Sequence, residues 1–124
     1  MQASENSILV VEDENIARRN LEHILRKEGY EVIAADNGAK ALELLRRRDF
    51  DLVLTDLKME KVDGMRVLEK TRDLQPYTEV IMITGYATVP RAIEAMQKGS
   101  YHFLSKPLNL AEIRSTIKKA LFNK

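Results

Sequence analysis

The sequence contains no cysteine. Disulfides, thiolate nucleophiles and cysteine-ligated metals are therefore excluded, and a reducing compartment is consistent with that absence. It has no apolar run of the roughly 18 residues that a membrane span needs. Met1–Ser7 is polar and has no apolar signal core, so a cytoplasmic protein is expected. Excess charge is also lacking. Twenty basic residues against 19 acidic ones give a net charge of +1, which provides no broad electrostatic reason for nucleic acid or a membrane surface to bind. The one basic run, Arg46-Arg47-Arg48, reads as the solvated last turn of a helix, where cations suit the dipole. Repeats, low-complexity tracts and Pro/Gly-rich linkers are missing as well. What remains is a chain of 124 residues, short enough for a single domain spanning 1–124 with a core from about residue 7 to about residue 122. That length buries roughly two-thirds of the unfolded surface without covalent staples.

Short apolar runs alternate with helical patterns along the whole chain. Ile8-Leu9-Val10-Val11 reads as a strand, followed by a helix with Ala17, Leu21, Ile24, Leu25 and Glu28 on 3–4 spacing. Gly29 stops that helix in the manner of a C′ residue. Glu31–Ala35 is a second strand. Asp36-Asn37-Gly38 supplies turn and N-cap chemistry, and Ala39, Ala41, Leu42, Leu44 and Leu45 carry a second helix to the arginine run. Leu52–Thr55 is a third strand, apolar enough to be buried on both faces. A loop from Leu57 to Gly64 leads to a helix over Met65–Asp73, and Gln75-Pro76-Tyr77 breaks the chain before a fourth strand, Val80–Ile83. Thr88 is placed to cap a fourth helix with Pro90 in its first turn. Val89, Ile93 and Met96 are expected on its inner face, and Gly99 ends it. Tyr101–Ser105 is a fifth strand. Asn109 and Glu112 resemble a capping box before a last helix with an apolar stripe of Leu110, Ile113, Ile117, Ala120 and Leu121. Five β/α units in strict alternation imply an α/β fold, a parallel sheet with helices on both faces. Spacing alone leaves the strand order open.

The residues that follow the apolar runs carry the chemistry. Glu12 and Asp13 follow the first strand, Asp56 the third, Thr84 the fourth and Lys106 the fifth. In a parallel sheet these ends share one edge, where ligand chemistry is expected. Each residue also has an ordinary explanation. Glu12 and Asp13 suit a helix start, and Asp56 suits an N-cap as well as it suits a functional carboxylate. Thr84 is a common strand residue, Lys106 a common surface charge and Phe103 a core aromatic. His23 and His102 lack ligand partners. The joint pattern carries more weight than any member. Three carboxylates in one small site repel one another, and a hard divalent cation, Mg²⁺ above all where phosphate oxygens complete its shell, relieves that repulsion. A lysine and a hydroxyl beside them would stabilise a phosphoryl group in transfer to a carboxylate oxygen.

The segments Ile-Leu-Val-Val-Glu-Asp-Glu (8–14), Asp-Leu-Val-Leu-Thr-Asp (51–56), Asp-Gly-Met (63–65), Met-Ile-Thr-Gly-Tyr-Ala (82–87) and Phe-Leu-Ser-Lys-Pro (103–107) together resemble the receiver domain of two-component response regulators, across Ile8 to Leu121. The resemblance implies a (βα)5 doubly wound parallel sheet of flavodoxin-like order 2-1-3-4-5. It implies that Asp56 is the phosphoacceptor of a sensor histidine kinase. Glu12, Asp13, Asp56 and the backbone carbonyl of Lys58 are then the Mg²⁺ ligands, and Thr84 and Lys106 contact the phosphoryl oxygens. Thr84 and Phe103 become the switch pair that repacks the face of the fourth helix, fifth strand and fifth helix. The domain would assist its own phosphorylation and dephosphorylation without being an enzyme. Members of the family often have a cis bond at the position of Lys106-Pro107. The runs around Thr84 and Lys106 are similar to those in receivers of enhancer-binding AAA+ transcription activators. An output domain or effector protein, control of transcription, and a homodimer through the helix 4–strand 5–helix 5 face follow by that analogy.

Two positions depart from the family pattern. Glu60 stands where proline is common, and Gly85 where alanine is common. Glycine leaves the loop after the fourth strand more freedom. Lys58 and Tyr86 are expected to flank the phosphoryl group and to slow its loss to water. Rival functions fit less well. A haloacid-dehalogenase-like phosphatase needs an aspartate where Lys58 stands. A nucleotide switch or flavodoxin-like carrier needs a phosphate-binding loop after the first strand, where Glu12 and Asp13 would repel phosphate. A degenerate receiver that acts only as a protein-interaction module is the remaining alternative.

Overall fold

Continuously apolar strands, whose successive side chains point to opposite faces, build two cores, one on either side of a single sheet. In the computed structural model, residues 6–59, 62–85 and 89–122 are described. Among them the order is β1 (Ser7–Val11), α1 (Asn15–Lys27), β2 (Glu31–Ala35), α2 (Gly38–Arg47), β3 (Leu52–Asp56), α3 (Gly64–Leu74), β4 (Glu79–Thr84), α4 (Val89–Gln97), β5 (His102–Ser105) and α5 (Leu110–Phe122). All strand pairs are parallel and the sheet order is β2-β1-β3-β4-β5. Ile8, Val10, Leu52, Leu54, Ile81, Ile83 and Leu104 point to the side covered by Leu21 and Leu25 of α1 and Ile113, Ile117 and Ala120 of α5. Leu9, Val11, Val53, Val80 and Met82 point to the opposite side, covered by α2, α3 and α4. Each such fully buried aliphatic side chain contributes about 1.5–3 kcal/mol relative to exposure.

The helices start and stop where local chemistry directs. Glu14 caps α1 through Ala17 N–H, Asn37 caps α2 through Lys40 N–H, and Asp63 caps α3 through Arg66 N–H. Asn109 Oδ1 accepts the Glu112 amide at 3.0 Å at the start of α5. Gly29 and Gly99, which follow α1 and α4, have φ of 97° and 102°, the left-handed geometry that ends helices at glycine. Strands β1 and β4 begin one residue earlier than the apolar runs suggest, and β3 and β4 run on through Asp56 and Thr84. The ladder extends through polar residues as long as backbone partners continue.

One expectation fails. Ile93 and Met96 do not line the inner face of α4. They are 51% and 45% exposed, and among the described side chains of α4 the buried one is Ala95. The expected Thr88 cap lies outside the described residues, as does the side chain of Val89. Among the described residues, no helix is long and apolar enough to cross a membrane.

Candidate functional site

The carboxyl edge of the sheet gathers the charged residues at the ends of β1, β3 and β5. Asp56 is the last residue of β3 and is 6% exposed. It caps no helix, since Asp63 does that for α3. Glu12 follows β1 and is nearly as buried as the core, at 1% exposure. Its neighbour Asp13 is exposed. Neither serves as the N-cap of α1, a place taken by Glu14. Glu12, Asp13 and Asp56 each present a carboxylate oxygen, and these oxygens lie within 4.8 Å of one another.

Lys106, just beyond β5, reaches into this acidic cluster. Its Nζ donates to Glu12 Oε1 at 2.7 Å and to Asp56 Oδ2 at 2.9 Å. The chain is held in place behind it, because Lys106 N–H donates to the Thr84 carbonyl at 2.9 Å. The Lys106-Pro107 bond is cis. Burial pushes the Glu12 carboxyl above its ordinary value; the Lys106 hydrogen bond pulls it back, the Asp56 charge adds to the rise, and the Glu14 N–H bond opposes it, leaving it raised. Burial would lower the Lys106 ammonium, but its bonds to Glu12 and Asp56 outweigh that and raise it. The lysine thus bridges two of the three carboxylates but its single charge offsets only one of the three negative charges.

The other expected residues lie around this centre. Thr84 is fully buried at the end of β4, in register with Ser105 and one residue beyond the Ile83 that pairs with Asp56. Phe103 is partly buried and packs on the α2–α3–α4 side of the sheet. Lys58 N–H donates to Asp56 Oδ1 at 3.3 Å, and its side chain is exposed. Glu60 and Tyr86 lie outside the described residues. His23 and His102 are exposed and away from the cluster's members.

Sequence reasoning overlooked several supports of this site. Arg18 Nη1 donates to the Glu12 carbonyl at 3.1 Å, and Glu14 N–H donates to Glu12 Oε2 at 3.2 Å. Gly64 closes the loop after β3: its N–H donates to the Leu57 carbonyl at 2.7 Å, and a Cβ there would sit 2.0 Å from the Asp56 carbonyl oxygen. The Asp63-Gly64 pair signalled a turn. That the turn folds back onto Asp56 depends on a contact no local pattern encodes.

Three hard oxygen donors with an adjacent ammonium suit a divalent cation together with an anionic oxygen ligand. Comparisons with known proteins agree with that chemistry. The family model described as the response regulator receiver domain matches residues 8–118. The chain is 40% identical over 114 residues to transcriptional regulatory protein ZraR of Escherichia coli O157:H7, a match covering 92% of this chain and 26% of that protein. It is 37% identical over 116 residues to regulatory protein AtoC of Escherichia coli strain K12, covering 94% and 25%. The chain therefore spans about a quarter of the length of these curated relatives. A CheY-like response regulator receiver domain protein from Methanospirillum hungatei JF-1 superimposes with a TM-score of 0.93 at 32% identity, covering 97% and 96% of the two chains. The beryllofluoride-activated NtrC4 receiver domain dimer gives 0.89 at 32% identity, covering 94% and 97%.

Proposed function

The chain belongs to the response regulator receiver domain family, and from that premise we propose that Asp56 is the phosphoacceptor of a two-component phosphorelay whose donor is a sensor histidine kinase. The observation that carries this reading is the Lys106 ammonium held between Glu12 and Asp56 at 2.7 and 2.9 Å. A buried carboxylate with a fixed cation at one oxygen and a backbone N–H at the other is aimed and charged for attack on phosphorus.

In the transfer step an Asp56 carboxylate oxygen forms a bond to phosphorus as the P–N bond of the donor phosphohistidine breaks. The departing imidazole nitrogen keeps the bonding pair and takes up a proton. Lys106 is within hydrogen-bonding reach of the acceptor oxygen and neutralises charge on the incoming phosphoryl oxygens. The Thr84 hydroxyl supplies a further donor from β4. Glu12, Asp13, Asp56 and the Lys58 carbonyl are the groups that would hold Mg²⁺. When bound, the ion screens the carboxylates from one another and from the phosphoryl oxygens. Asp56 and its neighbours then serve the domain's own phosphorylation and dephosphorylation and turn over no separate substrate.

The output follows from the added charge. Thr84 moves toward the phosphoryl group, Phe103 follows, and the face of α4, β5 and α5 repacks. That change controls an output domain or effector protein and, by analogy with the ZraR and AtoC regulators, transcription. A homodimer through this face accords with the exposed Ile93 and Met96 and with the dimeric NtrC4 receiver. Lys58, exposed beside Asp56, shields the phosphoryl group from water. Replacing it by alanine shortens the phosphate's half-life, and an unchanged half-life removes that role.

The test is incubation with acetyl phosphate and Mg²⁺ followed by intact mass. One added phosphoryl group is expected, lost in Asp56→Asn and after chelation of the metal. No adduct, either with acetyl phosphate or with a cognate kinase, would leave the protein an interaction module that works without phosphorylation.

A further inference from the structure

The described residues on either side of the loop after β3, Lys58 and Gly64, both lie against Asp56. At its start, Lys58 N–H donates to Asp56 Oδ1 at 3.3 Å. At its end, Gly64 N–H donates to the Leu57 carbonyl at 2.7 Å, and the absent Gly64 Cβ leaves room for the Asp56 carbonyl. Asp63 stands directly before this closure and uses its two oxygens differently. Oδ1 accepts the Arg66 amide at 3.1 Å and caps α3. Oδ2 faces Arg91 Nη2, in the first turn of α4, at 3.6 Å. Leu57, Lys58, Met59, Asp63 and Arg91 line a cleft of about 180 Å³ between the loop and α4, and the Asp63–Arg91 pair spans it. At the far end of α4 a second tie, Lys98 to Glu69 at 2.8 Å, joins the middle of α3.

We infer that Asp63 is a positioning residue that carries the state of Asp56 to α4 through Arg91, a mechanical output in addition to the Thr84–Phe103 pair. The inference rests on phosphorylation of Asp56. Phosphorylation turns one carboxylate oxygen into the bridging oxygen of an acyl phosphate. The Asp56 oxygens then no longer offer the Lys58 amide the same acceptor. Gly64, bonded to the Leu57 carbonyl and packed against the Asp56 carbonyl, carries that change to Asp63. Arg91 and the first turn of α4 follow. α4 is suited to respond, since Ala95 is its one fully buried side chain among those described.

The experiment measures amide hydrogen exchange of α4 peptides before and after phosphorylation with acetyl phosphate and Mg²⁺, with intact mass reporting the phosphorylated fraction. The variants are Asp63→Asn, which retains capping ability but not the charge, Arg91→Gln, the double variant, and Glu69→Gln as a control. A half-exposed ion pair predicts about two- to fivefold faster basal α4 exchange in Asp63→Asn, and a larger rise in Arg91→Gln, which also loses the 2.6 Å Glu94 pair within α4. The phosphorylation-dependent change in α4 exchange falls by at least half in Asp63→Asn and in Arg91→Gln, with no further loss in the double variant. It persists in Glu69→Gln. A full wild-type change in both single variants overturns the inference, as does an equal loss in Glu69→Gln, which would mark general loosening of the helix. Absence of the mass increment in the wild type, with acetyl phosphate and with a cognate kinase alike, overturns the phosphoacceptor reading itself, so the two failures are distinguishable.

Discussion

Helices α3 and α4 cover the same side of the sheet but are held in different ways. α3 sinks Met65, Val67, Leu68 and Thr71 into the core, and the Thr71 hydroxyl donates to the Val67 carbonyl at 2.7 Å. α4 places Ala95 against the strands, leaves Ile93 and Met96 about half exposed, and is tied to its neighbour by ion pairs at its ends. Burial of several large side chains makes α3 a pillar. It fixes the loop whose other end is Asp56. A helix whose described side chains bury one alanine and form two solvent-accessible ion pairs to its neighbour has little packing to lose when it shifts, since exposed pairs contribute only about 0–1 kcal/mol each. The site therefore stands on the rigid member, and the adjoining member is free to report its state.

The contrast can be broken from either side. Leu68→Ala in α3 empties a fully buried position and is expected to lower unfolding stability by about 2–5 kcal/mol, measured by urea denaturation. A loss below about 1 kcal/mol would mean that α3 is not the pillar. Gly64→Ala drives a methyl toward the Asp56 carbonyl and should cost about 1–3 kcal/mol. It should also slow phosphorylation from acetyl phosphate by more than stability alone explains. Wild-type rates in this variant would separate the loop closure from the site.

A pH test sharpens the account of the lysine. The Lys106 value is raised in the folded protein, so its contribution to stability is fully present below its unfolded value near 10.5 and is lost as pH rises through the folded value. Glu12 is also raised, so its contribution is full below about 4.5 and lost as pH rises through its own folded value. As pH rises above about 10.5 the urea midpoint of the wild type should therefore fall more than that of Lys106→Met, and Tyr30, common to both proteins, cancels. Parallel falls would show that Lys106 is not held by Glu12 and Asp56 in solution. The smallest effect belongs to α4. Met96→Ala should change stability by no more than about 0.5 kcal/mol, and a loss comparable to that of Leu68→Ala would erase the difference between the two helices.

Much of this architecture was legible in the residues. Continuous apolar runs such as Ile8–Val11 and Leu52–Leu54, and caps such as Asn37 and Asn109, depend on neighbours within a few positions. Gly29 and Gly99 ended their helices as expected because chirality restricts positive φ locally. The strand ends also brought Glu12, Asp13, Asp56 and Lys106 to one edge, since a parallel sheet aligns its carboxyl ends. The inner face of α4 was misread because a hydrophobic pattern favours Ile93 and Met96, whereas close packing favoured Ala95.

By itself the sequence determined the alternation of elements, the polarity of the sheet edge and the residue types available for phosphoryl chemistry, because these follow from local periodicity and strand direction. The tertiary structure decided which of those residues meet. It placed the Lys106 ammonium between Glu12 and Asp56, folded Gly64 back onto the Asp56 carbonyl, and set Asp63 across from Arg91. Those contacts join residues up to 94 positions apart, and only the packing of helices and strands into one body fixes such distances.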